Sequence, residues 1–159
     1  MRVIVVSDTH SEDLPPVLLE DVKKSDLVIH VGDFCDIEVY KRLKALKEIR
    51  AVYGNMDGLD LRGILPRKAV FTCEGVTIGL FHGEGGPDQL FEKVKAAFSK
   101  EKVDVVIFGH SHEVLNRVVD GILYFNPGSP TDTFRAPFRS YGVLEVRGDK
   151  VKGTIIKVK

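Results

Sequence analysis

The stretch RVIVVSDTH, residues 2–10 of the 159-residue chain, predicts an α/β fold with a polar site at one edge of a sheet. Its first half is a short run of β-branched residues, which is typical of a strand buried on both faces. Its second half places Asp8 and His10 directly after that strand. In α/β sheets the carboxyl ends of the strands open onto a crevice where ligands bind, so these two side chains are candidates for a functional site.

The same pattern recurs along the chain. Further apolar runs predict strands at Leu27–Val31, Arg50–Tyr53, Val76–Phe81 and Val103–Phe108. Helical spacing of apolar residues is found behind Pro15-Pro16, behind a predicted N-cap at Asp36, and from Pro87 onward. Turn signals predict three hairpins, formed by Lys68–Thr72 with Val76–Phe81, Val114–Val119 with Ile122–Phe125, and Tyr141–Val146 with Val151–Val158. We therefore expect one α/β domain over residues 1–159, with two packed sheets and the helices outside.

The composition excludes several classes of protein. The 23 Lys and Arg residues balance the 23 Asp and Glu residues, whereas proteins that coat nucleic acid or bind membrane surfaces usually carry a basic excess. No apolar run is long enough for a transmembrane helix. The chain begins directly in a predicted strand with no apolar leader, so we expect a cytoplasmic protein. Two cysteines, Cys35 and Cys73, are too few for a disulfide framework or a zinc ribbon.

Seven polar side chains stand just past the ends of five predicted strands: Asp8, His10, Asp33, Asn55, His82, His110 and His112. Gathering them in one crevice is costly in charge and dehydration unless cations offset it. Carboxylates and imidazoles without thiolates suit Mn, Fe, Co, Ni or Zn better than Ca or Mg. A carboxylate such as Asp33 can bridge two cations about 3.5–4 Å apart. The pattern thus predicts a two-metal site that activates water against a phosphoryl group.

The order of the motifs resembles a known family. Along the chain they are Asp-x-His, Gly-Asp, Gly-Asn-x-Asp, His-Gly and Gly-His-x-His, beginning at Asp8 and ending at His112. This series resembles the five blocks of the calcineurin-like metallophosphoesterases, in particular the small single-domain phosphodiesterases of archaea and bacteria. The segment Asn126-Pro127-Gly128-Ser129 resembles a further loop of the small members. The resemblance implies a four-layer αββα sandwich, in which two mixed β-sheets are flanked by helices.

The resemblance also implies roles for the seven side chains. One divalent metal ion would be held by Asp8, His10, Asp33 and His112. The other would be held by the bridging Asp33 together with Asn55, His82 and His110. Manganese is expected, with nickel, iron, cobalt and zinc as alternatives. The implied reaction is phosphodiester hydrolysis by a metal-bridging hydroxide, with Asp33, Asn55 and His82 as the catalytic residues and Asn55 also touching the substrate phosphate.

Residue 56 departs from the larger members of the family. Many of them carry a histidine after the Gly-Asn pair that is thought to assist the leaving group, whereas this chain has Met56, which has no proton to donate. The small phosphodiesterase-type members also lack that histidine. General acid–base help is typically worth about 10²–10⁴-fold, so we expect phosphodiester hydrolysis and a modest turnover. Asp57 either orients a ligand or stabilises the turn that contains it.

Several further residues have two interpretations. Arg135 and Arg139, in and after the segment Pro130–Pro137, either contact a substrate phosphate or lie in solvent. We take solvated arginines as the simpler interpretation and keep Arg135 as a substrate-binding candidate. Phe134 lines either a substrate or dimer surface or the core. His30 lies inside a predicted strand and is predicted to be a core histidine. Cys35 is either a soft neighbour of the metal or, as the better interpretation, a small buried residue.

Two functions other than phosphoester hydrolysis are also compatible with parts of the sequence. A retromer subunit with this fold is similar in length and is a scaffold with a degraded metal site, but all seven ligand positions here carry coordinating residues. A nucleotide-binding Rossmann module is disfavoured, because Ser-Asp-Thr-His rather than a glycine fingerprint follows the first strand. For the enzyme we expect a small phosphoester substrate, with specificity set by the loops Leu59–Pro66 and Pro130–Pro137. We expect no bulk nucleic-acid binding, and the resemblance leaves a homo-oligomer open.

Overall fold

Ten strands and four helices make up the computed structural model, which describes residues 1–159. The strands are β1 (Arg2–Val6), β2 (Leu27–His30), β3 (Ile49–Ala51), β4 (Lys68–Cys73), β5 (Val76–Phe81), β6 (Val105–Ile107), β7 (Val114–Val119), β8 (Ile122–Pro127), β9 (Ser140–Arg147) and β10 (Lys150–Lys157). The helices are α1 (Pro16–Lys24), α2 (Ile37–Leu46), α3 (Leu59–Arg62) and α4 (Pro87–Ala97). Every predicted strand and hairpin forms, with boundaries that differ only by a residue or two.

The strands form two five-stranded mixed sheets. In the first, of order β10-β9-β1-β2-β3, the strands β1, β2 and β3 run parallel, while β9 is antiparallel to both β1 and β10. In the second, of order β4-β5-β6-β8-β7, the strands β5, β6 and β8 run parallel and the edge strands β4 and β7 are antiparallel. Each sheet therefore has a parallel part whose strands end at a common edge, and the polar motifs follow those ends.

Three hydrophobic clusters show how the sheets and helices stack. Because side chains alternate along a strand, Val5 of β1 belongs to a cluster that also contains Ile78 of β5 and fills the space between the sheets. Its neighbour Val6 faces the other way and packs with Leu18 of α1. On the far side, Val94 of α4 packs against the second sheet. The layers are thus helix, sheet, sheet and helix, which confirms the predicted four-layer αββα sandwich with two mixed sheets.

The helices begin where the sequence indicated. The side chain of Asp36 accepts a hydrogen bond from the backbone N–H of Glu38 at the start of α2, and prolines occupy the first turns of α1 and α4. The segment Leu59–Pro66 is a correction, because its first four residues form the one-turn helix α3 rather than an open loop. The reason is burial: Leu61 is fully enclosed. No helix has the length and apolar character needed to cross a membrane.

Two glycines let the strand ends approach each other closely. Gly32, after β2, has a φ of +102°, and a Cβ there would lie 2.6 Å from the backbone nitrogen of Gly54 after β3. Gly109, after β6, packs so tightly against the side chains of Ser7 and Asp8 that any Cβ would overlap them. These contacts bring the ends of β1, β2, β3 and β6 together, and the site is built where they meet.

Candidate metal centre

The seven candidate side chains lie at the carboxyl ends of strands from both sheets. Asp8 and His10 follow β1, Asp33 follows β2, and Asn55 follows β3 in the first sheet, whereas His82 follows β5 and His110 and His112 follow β6 in the second. Each of these side chains follows within five residues of the end of its strand. The structure therefore places all seven around one region, between the ends of the two sheets.

Most of these residues have a strained backbone. Five of the nine non-glycine residues with positive φ are candidate ligands, namely Asp8 (57°), His10 (48°), Asp33 (58°), His110 (72°) and His112 (61°). A non-glycine residue in this conformation costs on the order of 1–3 kcal/mol and persists only where its surroundings enforce it. Here the backbone N–H groups of Asp8 and His10 donate to the carbonyls of Gly32 and Asp33, each at 3.0 Å. The strain is thus concentrated where the polar side chains must be aimed inward.

Three imidazoles direct the same nitrogen, Nε2, at two carboxylates. The Nε2 atom of His112 lies 3.3 Å and that of His10 lies 3.7 Å from Oδ1 of Asp8. The Nε2 atom of His82 lies 3.3 Å from Oδ2 of Asp33 and 3.9 Å from Oδ1 of Asp8. Oδ2 of Asp33 is also 3.8 Å from Nε2 of His10. The five side chains therefore form one compact group of nitrogen and oxygen donors.

The other ring nitrogen of each of these histidines has a partner of its own. Nδ1 of His82 lies 2.7 Å from the carbonyl oxygen of Val31, and therefore donates to it. Nδ1 of His10 lies 3.3 Å from Sγ of Cys35, and Nδ1 of His112 is hydrogen-bonded to Oδ2 of Asp132. Such outer partners fix the ring orientation and tautomer of metal-binding histidines and leave Nε2 free to coordinate.

Two buried atoms in the group lack any hydrogen-bond partner: Oδ1 of Asp8 and Nε2 of His82. Asp8 is fully buried and His82 is 2% exposed, so water does not satisfy them from outside. An unpaired buried polar atom is rare and requires an explanation, of which an ion is one. Two overlapping sets of coordinating atoms, each within 4.8 Å of one another, contain these atoms: Asp8, His10 and His112, and Asp8, Asp33 and His82. The donor chemistry fits a divalent transition metal.

The charges of the group favour a cation. Burial by itself raises the pKa of Asp8, but the neighbouring imidazoles of His10, His112 and His82 outweigh it and hold that pKa below its usual range. Burial likewise opposes ionisation of Asp33, and interaction with His82 lowers its pKa overall. Burial lowers the pKa of His112, but Asp8 and Asp132 raise it to about 9. Metal binding requires a neutral imidazole, so a cation would take the place of these protons.

His110 and Asn55 belong to neither of the two sets of metal-coordinating atoms but lie next to them. Nδ1 of His110 is 3.1 Å from Oδ1 of Asn55, and its Nε2 is 3.0 Å from the carbonyl oxygen of Gly85. The ring of His110 packs edge-on against that of His82, with 5.2 Å between centroids. Both side chains therefore adjoin the group, and the ligand roles assigned to them by resemblance stay predictions.

A cleft of about 570 Å³ opens over the group. His10, Asp33 and His112 line its floor. Its rim contains Arg135, which keeps its place as a substrate-binding candidate, and two exposed apolar residues, Met56 and Phe134. Phe134 is 93% exposed, which excludes the core position that the sequence allowed.

Asp132 is the residue of the site that the sequence analysis missed. One carboxylate oxygen bonds His112, and the carboxylate as a whole accepts the backbone N–H groups of residues 134, 135 and 136. The same segment is tied to the loop after β1 through Ser129 and Thr131, whose hydroxyls donate to the carbonyls of Asp8 and Thr9. An aspartate followed by a tight turn was a signal for such capping, but the sequence alone did not show which histidine it would meet.

The structure also shows the roles of two further polar residues, His30 and Asp57. His30 is a core histidine as predicted: it is fully buried, stacks on Phe34, and bonds Thr9 and the backbone N–H of Gly32. Asp57 serves the turn, accepting backbone N–H groups of residues 33, 35 and 54.

Arg139 does not line the cleft, so of its two interpretations the contact with a substrate phosphate, which was the less favoured one, is not supported. Its guanidinium donates to the backbone carbonyl of Lys159, in a separate recess beside Val17 and Lys157. This hydrogen bond therefore holds the side chain of Arg139 away from the candidate centre. Cys35 is also more than a small buried residue, because its sulfur contacts His10 while the residue itself is only half-buried.

Comparison with known proteins agrees with this geometry. Residues 1–149 match the model of the calcineurin-like phosphoesterase superfamily domain. A probable metallophosphoesterase of Methanocaldococcus jannaschii is 37% identical over 165 residues, which cover 99% of this chain and 82% of that protein. A phosphodiesterase of the same organism is 29% identical over 145 residues, covering 80% and 83% of the two chains. The crystal structure of Entamoeba histolytica Vps29 complexed with zinc superposes with a TM-score of 0.78 at 25% identity, covering 99% of each chain.

Proposed function

The chain belongs to the calcineurin-like phosphoesterase superfamily, and from that premise we propose that it is a phosphodiesterase that uses two divalent metal ions, with manganese as the expected metal. The metallophosphoesterase and the phosphodiesterase of M. jannaschii support the class of reaction. The observation that carries the proposal is the pair of unpartnered buried atoms, Oδ1 of Asp8 and Nε2 of His82, at the centre of the two donor sets.

The residues present would hold the metal ions from two sides. Asp8, His10 and His112 supply one set and Asp8, Asp33 and His82 the other, with Asp8 shared and Oδ2 of Asp33 close to His10 as well. The bridging role of Asp33, and ligation by Asn55 and His110, are the parts of this proposal that come from the resemblance. When bound, the ions would ionise a water molecule near neutral pH and withdraw charge from the phosphoryl oxygens.

The chain's own side chains account for the rest of the reaction. Asn55 and Arg135 line the cleft, and in this proposal the amide N–H of the one and the guanidinium of the other donate to phosphoryl oxygens. Met56 lies on the same rim and cannot protonate the leaving alcohol. We therefore propose that the enzyme acts on diesters whose leaving groups depart readily, rather than on esters that need a general acid.

A scaffold function is the second candidate. Vps29 proteins share this fold over their whole length, and in one of them the crystal contains zinc. Two exposed apolar residues on the rim of the cleft, Met56 and Phe134, would suit a protein partner. The complete set of donors at the strand ends argues for the enzyme, because a scaffold has no need to retain strained, unpaired ligands.

One experiment separates the two functions. The purified chain, stripped with chelator and reloaded with Mn²⁺, is assayed with bis(p-nitrophenyl) phosphate, together with Asp33→Asn and the control Asp13→Asn, an exposed carboxylate on a neighbouring loop. The proposal expects metal-dependent hydrolysis that Asp33→Asn reduces by at least about a thousandfold and the control leaves intact, with circular dichroism unchanged. Hydrolysis by Asp33→Asn at the wild-type rate, or none by the reloaded wild type, would overturn it.

A further inference from the structure

A second cavity of about 410 Å³ lies beside the cleft and shares part of its wall. His110, His112 and Arg135 line both spaces. A molecule whose phosphate sits over the donor group can therefore extend past these three residues into the second cavity, which we name the side recess. Its volume is in the range of about 300–1,000 Å³ that small-molecule sites occupy, and the reaction proposed above gives it no role.

Five apolar side chains line the side recess beside its polar ones. Leu90 and Phe91 come from α4, Phe108 follows β6, and Val114 and Leu115 belong to β7. Leu90 and Phe108 are buried and the other three are half-buried, so they present a preformed surface rather than mobile side chains. Apolar side chains offer a phosphate no favourable contact, whereas the organic part of an ester is stabilised by packing against them.

The surface also favours a flat group over a flexible chain. The ring of Phe91 is held edge-on by Tyr124 at a centroid distance of 4.9 Å. The guanidinium of Arg117 lies 5.3 Å from the centroid of the same ring. A guanidinium stacks on planar aromatic systems, and a phenyl ring contacts them with its face or with its edge. Ser111 and Glu113, which also line the recess, add a hydroxyl and a carboxylate that can bond the polar edge of a heteroaromatic ring.

We propose that the side recess is a specificity site that binds an aromatic or heteroaromatic ester arm of the substrate while its phosphate occupies the neighbouring cleft. This inference rests on the proposed phosphodiesterase function and names its substrate class: diesters in which the alcohol that stays on the phosphate after hydrolysis carries a planar ring, such as a phenyl group or a nucleobase. Phe91 and Leu115 are the residues that select for that arm.

The test compares diesters that share p-nitrophenol as the leaving group and differ only in the other arm. Benzyl and thymidine 5′ esters of p-nitrophenyl phosphate are compared with the methyl ester, whose arm does not reach into the recess. We expect kcat/KM for the ring-bearing esters to exceed that for the methyl ester by at least about tenfold in the Mn²⁺-loaded wild type. Equal values for all three esters would overturn the inference while leaving the hydrolase activity in place.

Two variants locate the preference. Leu115→Trp fills the side recess and Phe91→Ala removes the stacking surface, and each is expected to bring the ratio of benzyl to methyl ester turnover close to one. Val118→Ala is the matched control, because Val118 lies on β7 as Leu115 does but is 64% exposed and outside the recess. An unchanged ratio in both Leu115→Trp and Phe91→Ala would contradict the assignment.

A binding measurement separates failure of this inference from failure of the proposed function. Calorimetric titration with benzylphosphonate and methylphosphonate, in the presence of Mn²⁺, needs no turnover. Tighter binding of benzylphosphonate that is lost in Leu115→Trp supports the side recess even if no diester is hydrolysed. Equal affinity for the two phosphonates overturns it whether or not the chain is an enzyme.

Discussion

The histidines around the candidate centre differ in what orients them, and His112 is the one that depends on a carboxylate. Val31 and Cys35 orient His82 and His10 from within the first-sheet loops, whereas His112 is oriented by Asp132, twenty residues later. Asp132 is itself held by three backbone N–H groups, so the turn after it is coupled to the ring. A carboxylate placed in this way makes the imidazole a stronger ligand.

Replacing Asp132 therefore tests this outer contact. We expect Asp132→Ala to weaken Mn²⁺ binding by about 10–100-fold, because the ring of His112 loses its fixed tautomer. Asp132→Asn, which keeps an oxygen acceptor, should recover part of the loss. The measurement is the Kd for Mn²⁺ by calorimetry, with the exposed Asp13→Ala as control. Wild-type affinity in Asp132→Ala would show that this carboxylate serves only the turn.

Strand β2 contains His30, which is buried in the core. This burial makes the stability of the folded chain depend on pH. His30 accepts the N–H of Gly32 at Nδ1, which leaves Nε2 as the donor to Thr9, so the ring is neutral. Burial is the main cause that lowers the pKa of His30 to about 3. The unfolded chain has an ordinary histidine there, with a pKa of about 6.5. Between pH values of about 3 and about 6.5, residue 30 is therefore protonated in the unfolded chain and neutral in the folded chain.

The free energy of unfolding should consequently fall as the pH is lowered from about 6.5 towards 4, since protons then favour the unfolded chain. His30→Asn, whose Oδ1 can accept the Gly32 N–H, lacks this titration. We expect the variant to be less stable than the wild type at pH 7 and to lose less stability on acidification. Urea unfolding at several pH values measures both. Parallel pH profiles for the two proteins would contradict the assignment of a neutral buried ring.

The strands and helices could be predicted because each of them has a signal in its own short stretch of sequence. Alternating or continuous apolar runs, the Asp36 cap, the prolines and the hairpin turns specify strands and helices within a few residues, and the motif order pointed to the sandwich. The helix α3 was missed because its one turn is stabilised by the burial of Leu61, a tertiary contact. The contacts of Arg139 with Lys159 and of Asp132 with His112 were missed for the same reason: they join residues about twenty positions apart.

At the scale of the whole molecule, the candidate centre exists only where the two sheets meet. Asp8, His10 and Asp33 come from the first sheet and His82 and His112 from the second, so neither sheet alone contains a complete set of donors. The sequence could predict which residue types gather there, because each follows a strand end. It could not predict that Nε2 is the inward nitrogen of three rings or that His110 pairs with Asn55, since side-chain orientation depends on the packing of both sheets.

The most direct test of two neighbouring cation sites is an anomalous difference map from a crystal of the chain soaked in Mn²⁺. The proposal predicts two peaks per chain, one among Asp8, His10 and His112 and one among Asp8, Asp33 and His82. A map with no peak among these side chains, or with manganese bound elsewhere on the surface, would contradict the account of the molecule as a two-metal phosphoesterase.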